Sequence, residues 1–425
     1  MRRPRAPITL TLRNIITTMP EVKLEDYRPP KGEENAGLKR WQRQKSGYEL
    51  FMAEEGIPVF RGIGVHDVRE LELKNWARRK ARGSFLLLDG LEGSKGMYVL
   101  ELAPEAMTEP EKHLYHEFFI VVEGAGVTET WREGAGGFKH SFEWQPGSMF
   151  RISPNVHYRL INAADTRALF IAANNAPGMF NLFRDREFIF NNEHPFPQFY
   201  GGRSFYDYDP RIVATPYNKR AAVRANFFPD VVSCELPLDN QRAPGYRRIT
   251  PMWYGFENDH TGFIAEYPIG RYSMAHYHES GAVLVCLSGE GYTYNWPREL
   301  GFTPWKDGRN SEVRVLDYIS GGLVAAAPGG GEWFHQHFGV GAQPLRICNF
   351  WGGPNAKPDE FLNRKTGVSA LATTREGGQT IDYRDEDPFV RQEFERRLAR
   401  AGVRSTMPPE VYTQGAPQAD PSGAM

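Results

Sequence analysis

Gly270-Arg271-Tyr272-Ser273-Met274-Ala275-His276-Tyr277-His278 sets two histidines at alternating positions, and a second such pair, His335-Gln336-His337, follows further along the chain. In an extended strand, residues i and i+2 point to the same face. Each pair therefore aims two imidazoles at one side of a sheet. If the two strands are neighbours in a barrel, the rings converge on one point, which suits a metal that prefers nitrogen ligands. The plainer alternatives are surface pairs, or buried histidines satisfied by backbone carbonyls.

The text around these pairs reads as β-structure. The chain has 425 residues, 43 of them Gly and 31 Pro, and 13% are aromatic. Such a composition suits short strands joined by turns. Short runs of Val, Ile, Leu, Phe and Tyr fill residues 60–175 and 251–355, broken by turn signals such as Asp89-Gly90 and Pro146-Gly147. Residues 176–250 lack periodicity and are expected to connect the two blocks and pack on both. An N-terminal extension, residues 1–59, should carry one helix, Trp41 to Glu55, stopping at Gly56. A C-terminal extension, residues 356–425, should carry a second, Asp387 to Ala401, and a disordered Gly/Pro/Ala-rich tail from Gln414.

Several classes of function are disfavoured. Lys+Arg is 51 and Asp+Glu is 52, a net charge of −1, so binding nucleic acid by bulk charge is not expected. No run of 18 apolar residues occurs, so no membrane span is expected. The three cysteines, Cys234, Cys286 and Cys348, form no C-x-x-C pair. That speaks against a disulfide scaffold or a thiolate zinc site and for a cytoplasmic protein. The start, Met1-Arg2-Arg3-Pro4-Arg5, reads as a flexible basic arm rather than a secretory signal. No phosphate-binding glycine loop or nucleophile elbow is present. The basic stretch Trp76 to Arg82 reads as solvated surface.

The two strand-rich blocks resemble each other. Ile120-Val121-Val122-Glu123-Gly124-Ala125-Gly126 matches Val285-Cys286-Leu287-Ser288-Gly289-Glu290-Gly291. Gly124 and Gly289 lie 165 positions apart, and Pro154 and Pro328 lie 174 apart. Two ordered landmarks at nearly one offset suggest an internal duplication.

These residues resemble the cupin motifs. Gly270, His276, His278 and Gly289 follow the first motif, G-x5-H-x-H-x3-E-x6-G, with Ala282 at the Glu position. Gly322, Pro328 and Gly330 begin the second, G-x5-P-x-G-x2-H-x3-N, whose His arrives two residues late as His335. The first block matches more loosely. His113, Glu117 and Gly124 keep the spacing, Glu111 takes the first His position, and Gly147, Pro154, His157 and Asn162 follow with small shifts. Four motifs in order, two per half, resemble a bicupin. The resemblance implies an all-β fold of two double-stranded β-helix (jelly-roll) barrels with helical N- and C-terminal extensions. It also implies a metal site of His276, His278 and His335 in the second barrel, with His337 as replacement ligand or catalytic neighbour. A possible second site would use His113, Glu117 and His157.

Ala282 leaves a neutral three-histidine face that can accept a bidentate anionic substrate without excess charge on the metal, with positions left for O₂. Gentisate-type ring-cleaving dioxygenases resemble this arrangement, whereas oxalate decarboxylases pair three His and a Glu with manganese. The expectation is an Fe(II)- and O₂-dependent dioxygenase of a small hydroxylated aromatic. The alternatives are a non-oxidative lyase, isomerase or decarboxylase using Mn, Ni or Zn, and a non-catalytic binding protein. Arg271 could clamp a carboxylate in bidentate fashion, the plainer alternative for it, as for Arg151 and Arg159, being a solvent-facing side chain. Arg151 and Arg159 flank the matching strand in the first barrel. Tyr272, Tyr292, Tyr294, Trp296 and Trp333 could line a pocket, though barrel core is the commoner role. A Gly-rich insert, Gly134 to Phe142 with His140, could form a lid. Exposed sheet edges make a homo-oligomer the expected state.

Overall fold

The computed structural model describes residues 44–133, 139–216, 219–254, 262–278, 281–326, 328, 333–351, 368–369 and 372–415. What was expected of the N-terminal arm, Gly330, the 134–138 part of the insert and the tail beyond 415 lies outside them.

Two barrels of the same plan account for the strands. Each sets a large sheet against a three-stranded one. In the first barrel the large sheet runs Val59–Gly62, Ala81–Leu88, Gly96–Leu102, Ala168–Asn174, Glu117–Glu123, Met149–Ile152 and Phe227–Phe228, with Lys74–Trp76 on Ala81–Leu88. The small sheet is His157–Asn162, Gly126–Trp131 and Lys139–Trp144. In the second barrel the large sheet runs Ile212–Ala214, Ala221–Arg224, Arg247–Met252, Gly262–Tyr267, Leu345–Trp351, Ala282–Ser288, Leu323–Ala326 and Gly64–Val65. Its small sheet is Arg314–Ile319, Glu290–Pro297 and Trp333–Gly339. The chain is thus an all-β fold of two double-stranded β-helix barrels. No helix among the described residues is long and apolar enough to cross a membrane.

The barrels exchange edges. Gly64–Val65 lies in sequence between Val59–Gly62 and Lys74–Trp76 of the first barrel, yet pairs with Leu323–Ala326 of the second. Phe227–Phe228, from the connection, pairs with Met149–Ile152 of the first. The 176–250 stretch is thus not a passive tether; it supplies strands to both large sheets.

Side-chain alternation explains why the central strands read as unbroken apolar runs. In Ala168–Asn174, Leu169, Ile171 and Ala173 face the other large sheet, while Ala168, Phe170 and Ala172 face their own barrel. In Ala282–Ser288, Val283, Val285 and Leu287 join the same inter-barrel core, and Ala282, Leu284 and Cys286 face inward. Each such Val, Leu or Ile contributes roughly 1.5–3 kcal/mol on burial, so a one-residue slip is strongly disfavoured. The duplicated turn glycines have a steric reason. Gly124 and Gly289 hold φ of 85° and 77°, and a Cβ on Gly289 would lie 2.5 Å from the Pro344 carbonyl oxygen.

The first helix among the described residues is Gly47–Glu55, shorter than its apolar pattern suggested, because Ser46 caps it reciprocally with Glu49; Gly56 ends it in the left-handed conformation. Pro388–Arg400 follows its cap Asp387, which also accepts from the backbone N–H groups of Trp305 and Lys306. Its buried Val390, Phe394 and Leu398 cover Tyr272, Tyr292 and Phe338 on the outer face of the second small sheet.

At the base of this cover lies a half-buried carboxyl group, Glu386. It is bonded to the Tyr272 hydroxyl and accepts from Gln336 Nε2 at 3.2 Å. Burial pushes it up to about 8, against the lowering effect of those two bonds. A folded value above the unfolded one means full stability below about pH 4–5 and progressive loss as pH rises through about 8. Glu386→Gln keeps both partners without the charge. We expect it to match the parent at pH 5 and to exceed it at pH 9 by a few kcal/mol. Urea midpoints at pH 5, 7 and 9 check this; a pH-independent difference between the proteins refutes it.

Candidate metal centre

The segment carrying His276 and His278 is irregular, yet its backbone is fixed on both sides. His276 N–H donates to the His335 carbonyl at 3.0 Å, and His335 N–H donates back at 2.9 Å. Ser273 N–H donates to the His337 carbonyl at 2.9 Å, and His337 N–H donates to Ser273 Oγ at 2.8 Å. From the other side, Ile381 N–H donates to the Ala275 carbonyl at 2.8 Å. The ligand segment is thus held as an edge between Trp333–Gly339 and the C-terminal extension.

This brings three imidazoles together. Ligand atoms of His276, His278 and His335 all lie within 4.8 Å of one another. The ring centres are 4.1 Å apart for His276 and His335 and 4.7 Å for His278 and His335. His337 shares their face, with its ring centre 5.5 Å from that of His335, but stands outside the group.

The chemistry of the donor set fits a cation. His276 Nδ1 is 3.1 Å from the Met274 carbonyl oxygen. A carbonyl only accepts, so Nδ1 carries the proton and the Nε2 lone pair is left for the cavity. Thr293 Oγ1 donates to the Gln336 carbonyl at 2.9 Å and lies 3.2 Å from His337 Nδ1, which assigns His337 the same tautomer. His335 Nδ1 is buried without a hydrogen-bond partner among the described residues. Burial first, then the Arg242 charge, holds His276 well below the usual histidine range. His335 is held down by burial and by the neighbouring histidines, and His337 is pushed down to about 3 by burial and Arg242. All three are neutral bases at ordinary pH, the form a metal needs.

The cavity in front of the rings is electropositive. Arg242, Arg248, Gln241, Tyr246, Tyr267 and Asn349 line it with the four histidines, and no described lining residue is a carboxylate. Arg248 is 7% exposed, and its Nε and Nη2 have no hydrogen-bond partner among the described residues. Burial pushes Arg242 down to about 10. A buried guanidinium without a counter-charge is costly and calls for an anion. Sequence reasoning missed both arginines, which come from the aperiodic connection.

The other expected substrate-side residues lie elsewhere. Arg271 is directed away from the cavity, with Nε 3.3 Å from Thr406 Oγ1. Gly270, at φ 73°, turns the chain against residues 404–406 and aims it outward. Tyr292, Tyr294 and Trp296 alternate onto the outer face beneath the C-terminal helix, and Tyr272 packs there too. Trp333 lies under the Arg314 guanidinium. Arg151 is fully buried and donates to Ser153 Oγ and the Tyr254 carbonyl, while Arg159 pairs with Glu129. His140 is a buried position in Lys139–Trp144, edge-on to Tyr200 and Tyr206.

In the first barrel, His113 and Glu117 meet, with Nε2 3.2 Å from Oε2, but His157 is not with them. The strand His157–Asn162 buries Tyr158, Leu160 and Asn162, so alternation sends His157 to the other face. There its ring stacks on Trp131 and its Nε2 lies 3.4 Å from Glu133. The inward residue is Tyr158, whose hydroxyl donates to Glu117 Oε2 at 2.7 Å. Arg79, 3% exposed, also enters this cluster, so the Trp76–Arg82 stretch is not solvated surface.

No protein-family model and no curated protein matches the sequence. Among solved structures, the chain is similar to an oxalate decarboxylase studied for its substrate binding mode and reaction specificity, at 11% identity and TM-score 0.41. It is likewise similar to Bacillus subtilis oxalate decarboxylase studied for its Mn(II) centres, at 11% identity and TM-score 0.42. In both cases 69% of this chain and 78% of the other are covered.

Proposed function

We propose that this protein is a metal-dependent bicupin enzyme acting on a small organic carboxylate at the second barrel. One observation carries the reading: three imidazoles converge beside the Arg242 and Arg248 guanidinium groups, with no carboxylate among the described residues of the cavity. His276, His278 and His335 would hold a divalent first-row ion such as Mn(II) or Fe(II). Bound there, the ion supplies Lewis acidity to the oxygens of a chelating substrate.

The chain's own groups do the rest. The Arg242 and Arg248 guanidinium groups take the substrate's negative charge, one of them in a bidentate fork. Tyr246 and Tyr267, both raised by burial, stay protonated and offer hydroxyl donors. Phe263, Leu284 and Ile347 supply apolar wall and limit water. In its simplest form the reaction is non-oxidative, a decarboxylation, lyase or isomerase step at the carbon bearing the carboxylate.

A second reading, O₂-dependent oxidation of a small hydroxylated aromatic acid, is favoured by the neutral donor set. With Ala282 in place of an acidic residue, a doubly negative chelating substrate adds no excess charge. The test is to load the purified protein anaerobically with Mn(II) or Fe(II). Dicarboxylates, hydroxy acids and dihydroxybenzoates are then supplied, with product and O₂ both followed. Turnover without O₂ uptake supports the first reading, and stoichiometric uptake supports the second. Failure to retain a divalent ion defeats both.

A further inference from the structure

The two barrels can be superposed residue by residue through their backbone bonds. Glu111 N–H donates to the Tyr158 carbonyl at 3.0 Å and Tyr158 N–H donates back at 2.8 Å, as His276 and His335 do at 3.0 and 2.9 Å. Glu117 opens its strand opposite Asn174, as Ala282 opens its own opposite Trp351. Glu109 N–H donates to the Arg79 carbonyl at 3.2 Å, and Met274 N–H donates to the Arg242 carbonyl at 2.9 Å. Glu111, His113, Tyr158 and Glu117 therefore hold the places of His276, His278, His335 and Ala282. Arg79 holds the place of Arg242.

The side chains at these matched places differ in one consequential way. Where Arg242 hydrogen-bonds no carboxylate among the described residues, Arg79 bonds two. Its Nη2 donates to Glu111 Oε1 at 2.6 Å and the Tyr158 hydroxyl at 2.8 Å, and lies 3.4 Å from Glu117 Oε2. Its Nη1 donates to the Tyr98 hydroxyl at 2.6 Å. Glu111 also pairs with Arg78, and Asn174 Nδ2 donates to Glu117 Oε1 at 3.1 Å. Both ring nitrogens of His113 face oxygens, Nδ1 at 2.9 Å from the Tyr115 carbonyl and Nε2 at 3.2 Å from Glu117. The oxygens and nitrogens that a metal would use already have partners. Burial opposes charge on Glu117, but Arg79, His113 and the Tyr158 hydroxyl together hold its carboxyl well below the usual range.

We propose that the Arg79 guanidinium is a built-in cation that closes the metal site of the first barrel, so that Glu111, His113 and Glu117 bind no ion unless Arg79 is removed. A tethered guanidinium is present at high effective concentration, and its Nη2 reaches both carboxylates at once, so a free ion does not displace it. The prediction of one ion per chain rests on the second barrel being the metal centre; the closure itself does not.

The test counts ions per chain after equilibration with excess Mn(II) and desalting, by elemental analysis and Mn(II) resonance. The parent is expected to hold one and His276→Ala none. Arg79→Ala is expected to hold two, the second disappearing in Arg79→Ala/Glu117→Gln. Should the second barrel bind nothing, the parent holds none and Arg79→Ala one, which sinks the proposed function and leaves the closure standing. A parent with two ions, or a His276→Ala protein whose remaining ion is lost on adding Glu117→Gln, overturns the closure. So does a folded Arg79→Ala protein that gains no ion. If Arg79→Ala does not fold, as judged by near-ultraviolet dichroism, the His276→Ala and His276→Ala/Glu117→Gln counts decide alone.

Discussion

His335→Ala is expected to lower divalent-metal affinity at least 100-fold and to remove turnover with it, while His337→Ala costs less. The contrast follows from position. His335 is within 4.8 Å of both other ligand atoms and bonds His276 through two backbone contacts, whereas His337 stands outside the group. Groups that only orient ligands are worth about 10- to 100-fold in affinity, so a direct ligand must be worth more. The side chain is 2% exposed, so its loss also leaves a small cavity. That cost falls on the metal-free fold and is measured separately by thermal unfolding of the apo protein. Metal titration with a competing chelator supplies the affinity. A His335→Ala protein that binds as tightly as the parent would falsify the assignment of His335 as third ligand.

The parts of this design that were legible in the sequence are those written in local periodicity. The H-x-H pairs carry a strand's period of two, Gly124 and Gly289 mark matching left-handed turns, and the unbroken apolar runs mark strands covered on both faces; the fold follows from these. What escaped is what periodicity does not reach. Arg242 and Arg248 lie in a stretch whose strands pair with distant partners. Arg271, adjacent to the ligand segment, was the natural choice until the left-handed Gly270 turned it outward. His157 was drawn in by a motif allowed to shift by one residue, and a shift of one changes the face of a strand. Tyr158 was the inward residue, visible only once pairing with Glu111 fixed the register. Arg79 sat in a run of basic residues that resembles solvated surface. Its partners are far along the chain, and no local signal marks a cation destined for buried carboxylates. The one usable hint was the mismatch between Tyr246 and Arg248, an aromatic and a charge on one face of a strand entering a core.

Arg242→Ala is expected to raise KM for the carboxylate substrate roughly 30- to 700-fold, with a smaller fall in kcat. A buried, charge-assisted contact is worth about 2–4 kcal/mol when one partner is removed. Arg242→Lys should recover only part of it, since an ammonium group cannot offer the planar fork. Metal affinity should move the other way. Arg242 is the largest influence after burial that pushes His276 and His337 down. Removing that positive charge makes the imidazoles better donors and relieves repulsion of the incoming ion. A substitution that weakened the substrate and the metal together would point to collapse of the site. One that weakens the substrate while tightening the metal is the signature of an arginine that meets the substrate's charge directly. Steady-state kinetics paired with metal titration on the same preparations separates the two, and an unchanged KM would remove Arg242 from substrate binding.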